Sequence, residues 1–164
     1  MSFVRINIAV KPNAEVIDEA IKLSAEINQN SEAFFVLDGE NFLPHCTLYS
    51  PEFPEEHLDH IFIEVSHIVQ QTTPFMAIAD KSLSSHVGYV DVAIEKSPEW
   101  ISLHETVVKT LNPLRDNHLR DKYKQPNELA KYSKEQQENI QSYGYAEVFN
   151  DFRPHLTLNR LKDV

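Results

Sequence analysis

One seven-residue pattern occurs twice in this chain. The segments Phe42–Leu48 and Phe152–Leu158 share phenylalanine, proline, histidine, threonine and leucine at matching positions. Each copy therefore has a histidine followed two residues later by a threonine: His45 and Thr47 in the first, His155 and Thr157 in the second. Two imidazoles and two hydroxyls supply the groups needed for acid–base chemistry at a phosphate. The repeat predicts two half-sites that meet to form one site.

Strand periodicity predicts how each copy is oriented. Alternate residues of a strand point to opposite faces. The histidine and threonine of each copy should therefore share one face. The residue after the histidine and the residue after the threonine should share the opposite face. Two such strands would bring both imidazoles and both hydroxyls into one cleft. One neutral histidine can then remove a proton from the attacking oxygen, and a protonated one can give a proton to the leaving oxygen. Histidine suits both roles because its reference pKa is about 6.5. The threonine hydroxyls can donate hydrogen bonds to the non-bridging oxygens as charge develops.

The two motifs resemble those of the 2H phosphoesterase superfamily, which is defined by two His-x-Thr/Ser motifs in strands of two pseudo-symmetric lobes. The matching residues are His45-Cys46-Thr47-Leu48 and His155-Leu156-Thr157-Leu158. The resemblance implies an α+β fold of two pseudo-symmetric lobes, with mostly antiparallel sheets that face a central cleft and helices outside. It also implies a phosphoesterase that needs no metal or other cofactor and acts on a 2′,3′-cyclic nucleotide, a 2′-5′ linkage or a related phosphodiester.

Arg160 extends the second motif to His-x-Thr-Leu-x-Arg, which resembles the bacterial RNA-ligase-like, cyclic-phosphodiesterase members. A guanidinium at this position can clamp a phosphate oxygen. No basic residue follows the first motif in the same way, since the chain there reads Tyr49-Ser50-Pro51. The two copies are therefore similar but not equivalent.

The two histidines are 110 positions apart, and the excess over compact members lies in an insertion around residues 112–150. The end of this insertion, with the second motif, is similar to an uncharacterised bacterial branch sometimes found near phosphonate-utilisation genes. That similarity makes a small phosphorylated metabolite a credible substrate beside an RNA end. Tyr49 and Tyr143 are candidate substrate-binding residues because a tyrosine ring can stack on a base. The basic side chains of the insertion belong either to a lid over the site or to a solvated loop; they are Arg115, Arg120, Lys122 and Lys124.

Composition limits the classes of protein and partner. A length of 164 residues, with 41% hydrophobic and 24% charged residues, predicts a single bilobal domain over residues 1–164. The net charge of −10 disfavours extended nucleic-acid binding, because affinity for a polyanion comes mostly from neutralised phosphates. Three glycines, in no phosphate-loop pattern, give a Rossmann or P-loop hypothesis no support, and one cysteine excludes an internal disulfide. Since no stretch could span a bilayer, we expect a cytoplasmic monomer that does not bind membranes.

Periodicity and capping residues predict the elements that position the motifs. The prediction is a half-buried strand over residues 4–10, a helix after Asn13, strands over 33–37 and through Tyr49, a helix from Pro54, strands over 75–79 and 87–94, a helix from Ser97, a short helix after Ser133 and a final strand over the second motif. Residues 122–127 are predicted as a loop. A second group of histidines, His57, His60 and His67, lies on the predicted helix after Pro54 and is expected on its solvated face.

Two other functions fit the same motifs. The cleft could bind a nucleotide or an RNA end without turnover, or it could ligate RNA, since one site catalyses both directions of a reaction. The sequence also leaves open which histidine is the base, because that depends on which oxygen leaves.

Overall fold

The computed structural model describes residues 2–162. The side chains of residues 81, 82, 85 and 86 lie outside the described set. The fold is α+β, as predicted, with 46% helix and 22% strand. Its strands are β1 Phe3–Arg5, β2 Ile8–Val10, β3 Ala33–Val36, β4 Cys46–Tyr49, β5 Glu52–Pro54, β6 Ala79–His86, β7 Tyr89–Ile94 and β8 His155–Leu161. Its α-helices are α1 Ala14–Asn30, α2 Leu58–Gln71, α3 Pro98–Leu111, α4 Pro126–Leu129 and α5 Lys134–Tyr143. No helix among residues 2–162 is both long and apolar enough to cross a membrane.

The chain forms two compact units, each assembled from separate segments. The first unit combines residues up to 8 with 48–75 and 97–152, and the second combines 9–47, 76–96 and 153 onward. The insertion predicted around residues 112–150 belongs to the first unit. The second unit contains α1 and the largest sheet, whose strand order is β3-β8-β7-β6 with antiparallel neighbours. Both His-x-Thr pairs lie in this second unit.

Local capping signals predicted the helix starts well. The side chain of Asn13 accepts a hydrogen bond from the backbone N–H of Val16 at 3.0 Å, which caps α1. Ser133 and Gln136 form a reciprocal capping box at the start of α5. That helix ends at Gly144, whose φ of 68° lies in the left-handed region that glycine adopts without strain. The predicted helices after Asn13 and after Ser133 are therefore confirmed.

Three predicted elements are wrong or incomplete. The strand predicted over residues 4–10 is divided into β1, which pairs with β5, and β2, which pairs with β4, so the chain changes partner between them. The strand predicted over 75–79 is absent, because the turn at Val87 and Gly88 sets the hairpin register and pairs His86 with Tyr89. β6 therefore begins only at Ala79. The loop predicted over 122–127 instead contains part of a 3₁₀ turn, Asp121–Lys124, and the single turn of α4.

A β-bulge in β8 is the irregularity with the largest consequence. Thr157 pairs with Asp91 and Asn159 pairs with Val90, so the pairing with β7 passes over Leu158. An extra residue of this kind reverses the alternation of side chains beyond it. Leu158 and Asn159 are accordingly both fully buried, although they are consecutive.

Ser24 of α1 holds the bulge in place. Its hydroxyl donates to the Leu158 carbonyl at 2.9 Å and accepts from the backbone N–H of Leu37, also at 2.9 Å. The Asn159 side-chain amide donates to the Ser24 carbonyl at 3.2 Å and to the Phe35 carbonyl at 3.3 Å. Ser24 has no exposed surface, so water cannot replace these bonds if the hydroxyl is lost.

Replacing Ser24 with alanine should lower the free energy of unfolding by about 1–3 kcal/mol, because two buried backbone groups lose their partner. Urea unfolding followed by circular dichroism measures the change. The matched control is Ser66→Ala, whose hydroxyl donates to the Phe62 carbonyl on an exposed helix face and should change stability by less than about 0.5 kcal/mol. Equal stability of Ser24→Ala and the wild type would contradict this role of Ser24.

Candidate functional site

The two motifs begin at neighbouring points of the second unit. His45 immediately precedes β4, and His155 is the first residue of β8. The backbone of His155 forms a hydrogen bond with the thiol of Cys46, the first residue of β4. The starting residues of the two motif strands are therefore in direct contact.

Burial along both strands follows the predicted alternation. Cys46, Leu48, Leu156 and Leu158 are all buried. In contrast, His45 is exposed, whereas Thr47, His155 and Thr157 are half-buried. The assignment of the histidine and threonine of each copy to the face away from the core is confirmed at this level.

Each imidazole is oriented by the same local hydrogen bond. The Nδ1 atom of His45 lies 2.7 Å from the carbonyl oxygen of Leu43, and Nδ1 of His155 lies 2.7 Å from the carbonyl oxygen of Arg153. A carbonyl oxygen can only accept, so Nδ1 carries the proton in both rings. In the neutral ring, Nε2 is then left with its lone pair, as a general base requires. The sequence repeat thus extends to the orientation of the rings.

A capped turn positions the first copy. Asp38 accepts three hydrogen bonds from the backbone N–H groups of Glu40, Asn41 and Phe42. These bonds, led by the one from Phe42, hold the pKa of Asp38 well below its usual range. The ring of Phe42 stacks on Phe35 of β3 with centroids 5.2 Å apart. The turn is therefore anchored three residues before His45.

The register of the large sheet determines which residues share the face of the second motif. His155 pairs with Ala93, Thr157 with Asp91 and Arg160 with Tyr89. Directly paired residues of an antiparallel ladder project to the same face, and Tyr89, Asp91 and Ala93 alternate along β7. Simple alternation along β8 would put Arg160 on the face opposite His155, and the bulge at Leu158 returns it to the same face.

Arg160 is held by aromatic rings rather than by a carboxylate. Its guanidinium carbon lies 5.0 Å from the ring centroid of Phe34 and 5.1 Å from that of Tyr89. Both distances are typical of cation–π contacts. Within the described part of the chain, no ion pair or hydrogen bond engages this guanidinium. Its N–H groups therefore remain available to an anion.

The two tyrosines predicted to bind substrate belong to the first unit, and the prediction for Tyr49 is wrong. Tyr49 has no exposed surface, and its hydroxyl donates to the Tyr143 carbonyl at 2.6 Å and to Asn112 Oδ1 at 3.3 Å. Burial raises the pKa of Tyr49 well above its usual range. Tyr143 is half-buried, and its ring packs edge-on against Phe149 with centroids 4.9 Å apart. A substrate contact by Tyr143 stays a prediction.

The basic side chains of the insertion have structural partners in the first unit. Arg115 is fully buried, and its guanidinium donates to Asn112 Oδ1 and to the carbonyls of His118 and Ser142. Arg120 forms an ion pair with Glu52 at 3.3 Å. These two side chains hold parts of the first unit together, so neither is available to bind substrate as part of a lid.

Other histidines of the first unit are also engaged. His57 Nδ1 donates to the Leu114 carbonyl at 2.8 Å, and His60 lies 3.4 Å from a carboxylate oxygen of Glu64. His104 is fully buried, with Nδ1 bonded to the Leu48 carbonyl and Nε2 accepting from the Phe149 N–H. Residues 2–162 contain no group of three or more histidine, cysteine or acidic residues placed to hold a metal ion.

Sequence reasoning missed Asp91 and Phe34. Both lie in strands that were predicted, but their neighbours depend on strand order and register, which single-strand periodicity does not specify. An alternating pattern over residues 89–94 could have indicated that Tyr89 and Asp91 share a face. It could not have indicated that they face the second motif.

One family model matches most of the chain. A family model described as "Protein of unknown function (DUF1045)" matches residues 50–163. The matched range includes the second motif and Arg160, and the first motif lies just before it. No curated protein matches the chain.

The single cysteine offers a direct test of strand orientation. Burial raises the pKa of Cys46 to about 11, against a small opposite effect of the His155 backbone. At pH 8 only about 0.1% of the thiol would be ionised, so the folded protein should react with Ellman's reagent at least about 100-fold more slowly than in concentrated urea.

A matched control moves the thiol to the solvent side. The double variant Cys46→Ala, Ser84→Cys carries its only cysteine at an exposed position of β6 and should react rapidly when folded. A native Cys46 that reacts as fast as the thiol in urea would contradict the assigned orientation of β4.

Proposed function

The chain belongs to the DUF1045 family, and we propose that it is a metal-independent phosphoesterase that hydrolyses a cyclic phosphate or a phosphodiester. The observation that carries this proposal is the duplicated ring geometry. His45 and His155 lie where β4 and β8 begin, and these two strand ends are in contact. Each histidine donates its Nδ1–H to the carbonyl two residues earlier, which leaves Nε2 available for proton transfer.

Paired imidazoles in these tautomers suit an acid–base displacement at phosphorus. The neutral histidine accepts a proton from water through Nε2 while the water oxygen forms a bond to phosphorus. The other histidine, protonated at both nitrogens, donates its Nε2 proton to the leaving oxygen as the phosphorus–oxygen bond breaks. One histidine gains a proton and the other loses one, so the total charge of the pair is unchanged. Proton exchange with solvent then restores the starting protonation state of each histidine. His45 and His155 can exchange roles according to which oxygen leaves.

The remaining residues of the face suit binding of the phosphoryl group. Thr47 and Thr157 each follow their histidine by two positions and are half-buried. Their hydroxyls would donate to the non-bridging oxygens, where negative charge increases in the transition state. Arg160 would bind a phosphoryl oxygen through the N–H groups of its guanidinium, which lies against the rings of Phe34 and Tyr89 and forms no ion pair or hydrogen bond with a described residue.

The resemblance to 2H phosphoesterases supports the same assignment. Both copies read His-x-Thr-Leu after a proline, and both prolines, Pro44 and Pro154, are buried. The net charge of −10 favours a small phosphorylated molecule or a short RNA end over a long nucleic acid. A monomer acting in the cytoplasm is part of the proposal.

Replacing either His45 or His155 with alanine should lower turnover by about 10²–10⁴-fold, because each removes one proton transfer. Turnover is measured on a panel of 2′,3′-cyclic nucleotides and other phosphodiesters with a chelator present. The matched control is His60→Ala on α2, an exposed histidine with an ion-pair partner, which should keep wild-type turnover.

Three results would overturn the proposal. Unchanged turnover in both histidine variants would show that the pair is not catalytic. Loss of wild-type turnover on addition of the chelator would show that a metal ion takes part. Tight binding of a panel member that remains chemically unchanged would identify the protein as a binding module.

A further inference from the structure

Asp91 lies at the centre of a polar row that crosses three strands. Its direct partners are Ser84 on β6 and Thr157 on β8. Side chains of paired residues share one face, so Ser84, Asp91 and Thr157 project together. This face also carries His155 and Arg160. Asp91 is therefore a cross-strand neighbour of a residue proposed to bind the phosphoryl group.

The carboxylate of Asp91 has no partner among the residues that the structure describes. Its Oδ1 atom is shielded from solvent and accepts no hydrogen bond, and among the described residues no ion pair or hydrogen bond involves this side chain. A shielded carboxylate oxygen without a hydrogen-bond donor is unfavourable. The side chain as a whole is half-buried, so the carboxylate lies at the edge of the accessible face.

The nearest cation on this face does not neutralise Asp91. Arg160 pairs with Tyr89, two positions from Asp91 on β7, yet its guanidinium lies against the rings of Phe34 and Tyr89. The face thus presents a cation and an anion close together, and neither forms an ion pair with a described residue. A ligand that satisfies both must carry a negative group and a hydrogen-bond donor close together.

We propose that Asp91 accepts a hydrogen bond from a hydroxyl or ammonium group of the substrate, adjacent to the phosphoryl group held by Thr157 and Arg160. This inference rests on the proposed function. Cross-strand partners have Cβ atoms about 4.5–5.5 Å apart, which places the donor about two carbon atoms from the phosphate ester oxygen. A phosphate ester without such a donor meets only the negative charge of Asp91, so the residue selects for substrates that carry one.

Three small esters with the same two-carbon chain test the proposal by calorimetry: ethyl phosphate, 2-hydroxyethyl phosphate and 2-aminoethyl phosphate. The wild type should bind the two donor-bearing esters about tenfold or more tightly than ethyl phosphate, as expected for a hydrogen bond to a charged group. Asp91→Ala should remove that preference while ethyl phosphate binds equally or more tightly. Asp91→Asn has nearly the same shape, and it should keep part of the preference for the hydroxyl ester and lose that for the ammonium ester.

Matched variants separate the selectivity due to Asp91 from a general effect of negative charge, from a loss of folding and from a loss of phosphoryl binding. Asp18→Asn removes one exposed negative charge on α1 and should leave all three affinities unchanged. Arg160→Ala should weaken binding of all three esters, whereas Lys22→Ala, at an exposed lysine on α1, should not.

The failures of the two proposals are distinguishable. Equal wild-type affinity for the three esters, or an equal loss for all three in both Asp91 variants, would overturn the role of Asp91. If binding still depended on Arg160, the phosphoryl site would stand. No binding of any ester to the wild type would overturn the role of Asp91, and turnover of the phosphodiester panel in the His45 and His155 variants would then decide the proposed function separately.

Discussion

The extra residue at Leu158 is the constraint on which the face of the second motif depends. Without it, strand alternation would place Arg160 on the opposite side of the sheet from His155 and Thr157. The buried hydroxyl of Ser24 and the buried amide of Asn159 hold the bulge by bonding backbone groups that the ladder leaves free. Ser24, a helix residue more than 130 positions earlier in the sequence, thus helps to determine on which face of the sheet Arg160 lies.

The symmetry of the two motifs is local, and their surroundings differ. Both imidazoles use the same hydrogen bond to the carbonyl two residues earlier, so both offer the same nitrogen. Only the second motif lies in a four-stranded sheet, where β7 adds Asp91 and Tyr89 to its face. The first motif follows a turn capped by Asp38. A pair of similar rings with unlike neighbours is what a displacement needs, because proton removal and proton donation occur at chemically different oxygens.

The sequence predicted the features that are encoded locally. Helix starts at Asn13 and Ser133, the glycine that ends α5, the α+β class and the burial of Cys46 and Leu156 all follow from residue type and spacing. Features that depend on pairing between distant strands could not be predicted from the sequence. The bulge, the row around Asp91 and the burial of Tyr49 arise from register and tertiary packing, which override a strand or surface prediction made from one segment. The same holds for the apolar residues 75–78, which were predicted as part of a strand but lie outside β6, because the hairpin turn sets the register of that strand.

The most direct test of the central claim is long-range ¹H–¹⁵N NMR of the imidazole rings during a titration with inorganic phosphate. We expect His45 and His155 both to be Nδ1–H tautomers in their neutral forms. We also expect the Nε2 signals of both rings to shift over the same range of phosphate concentration. A ring with its proton on Nε2, or a response from only one of the two histidines, would contradict a shared acid–base site.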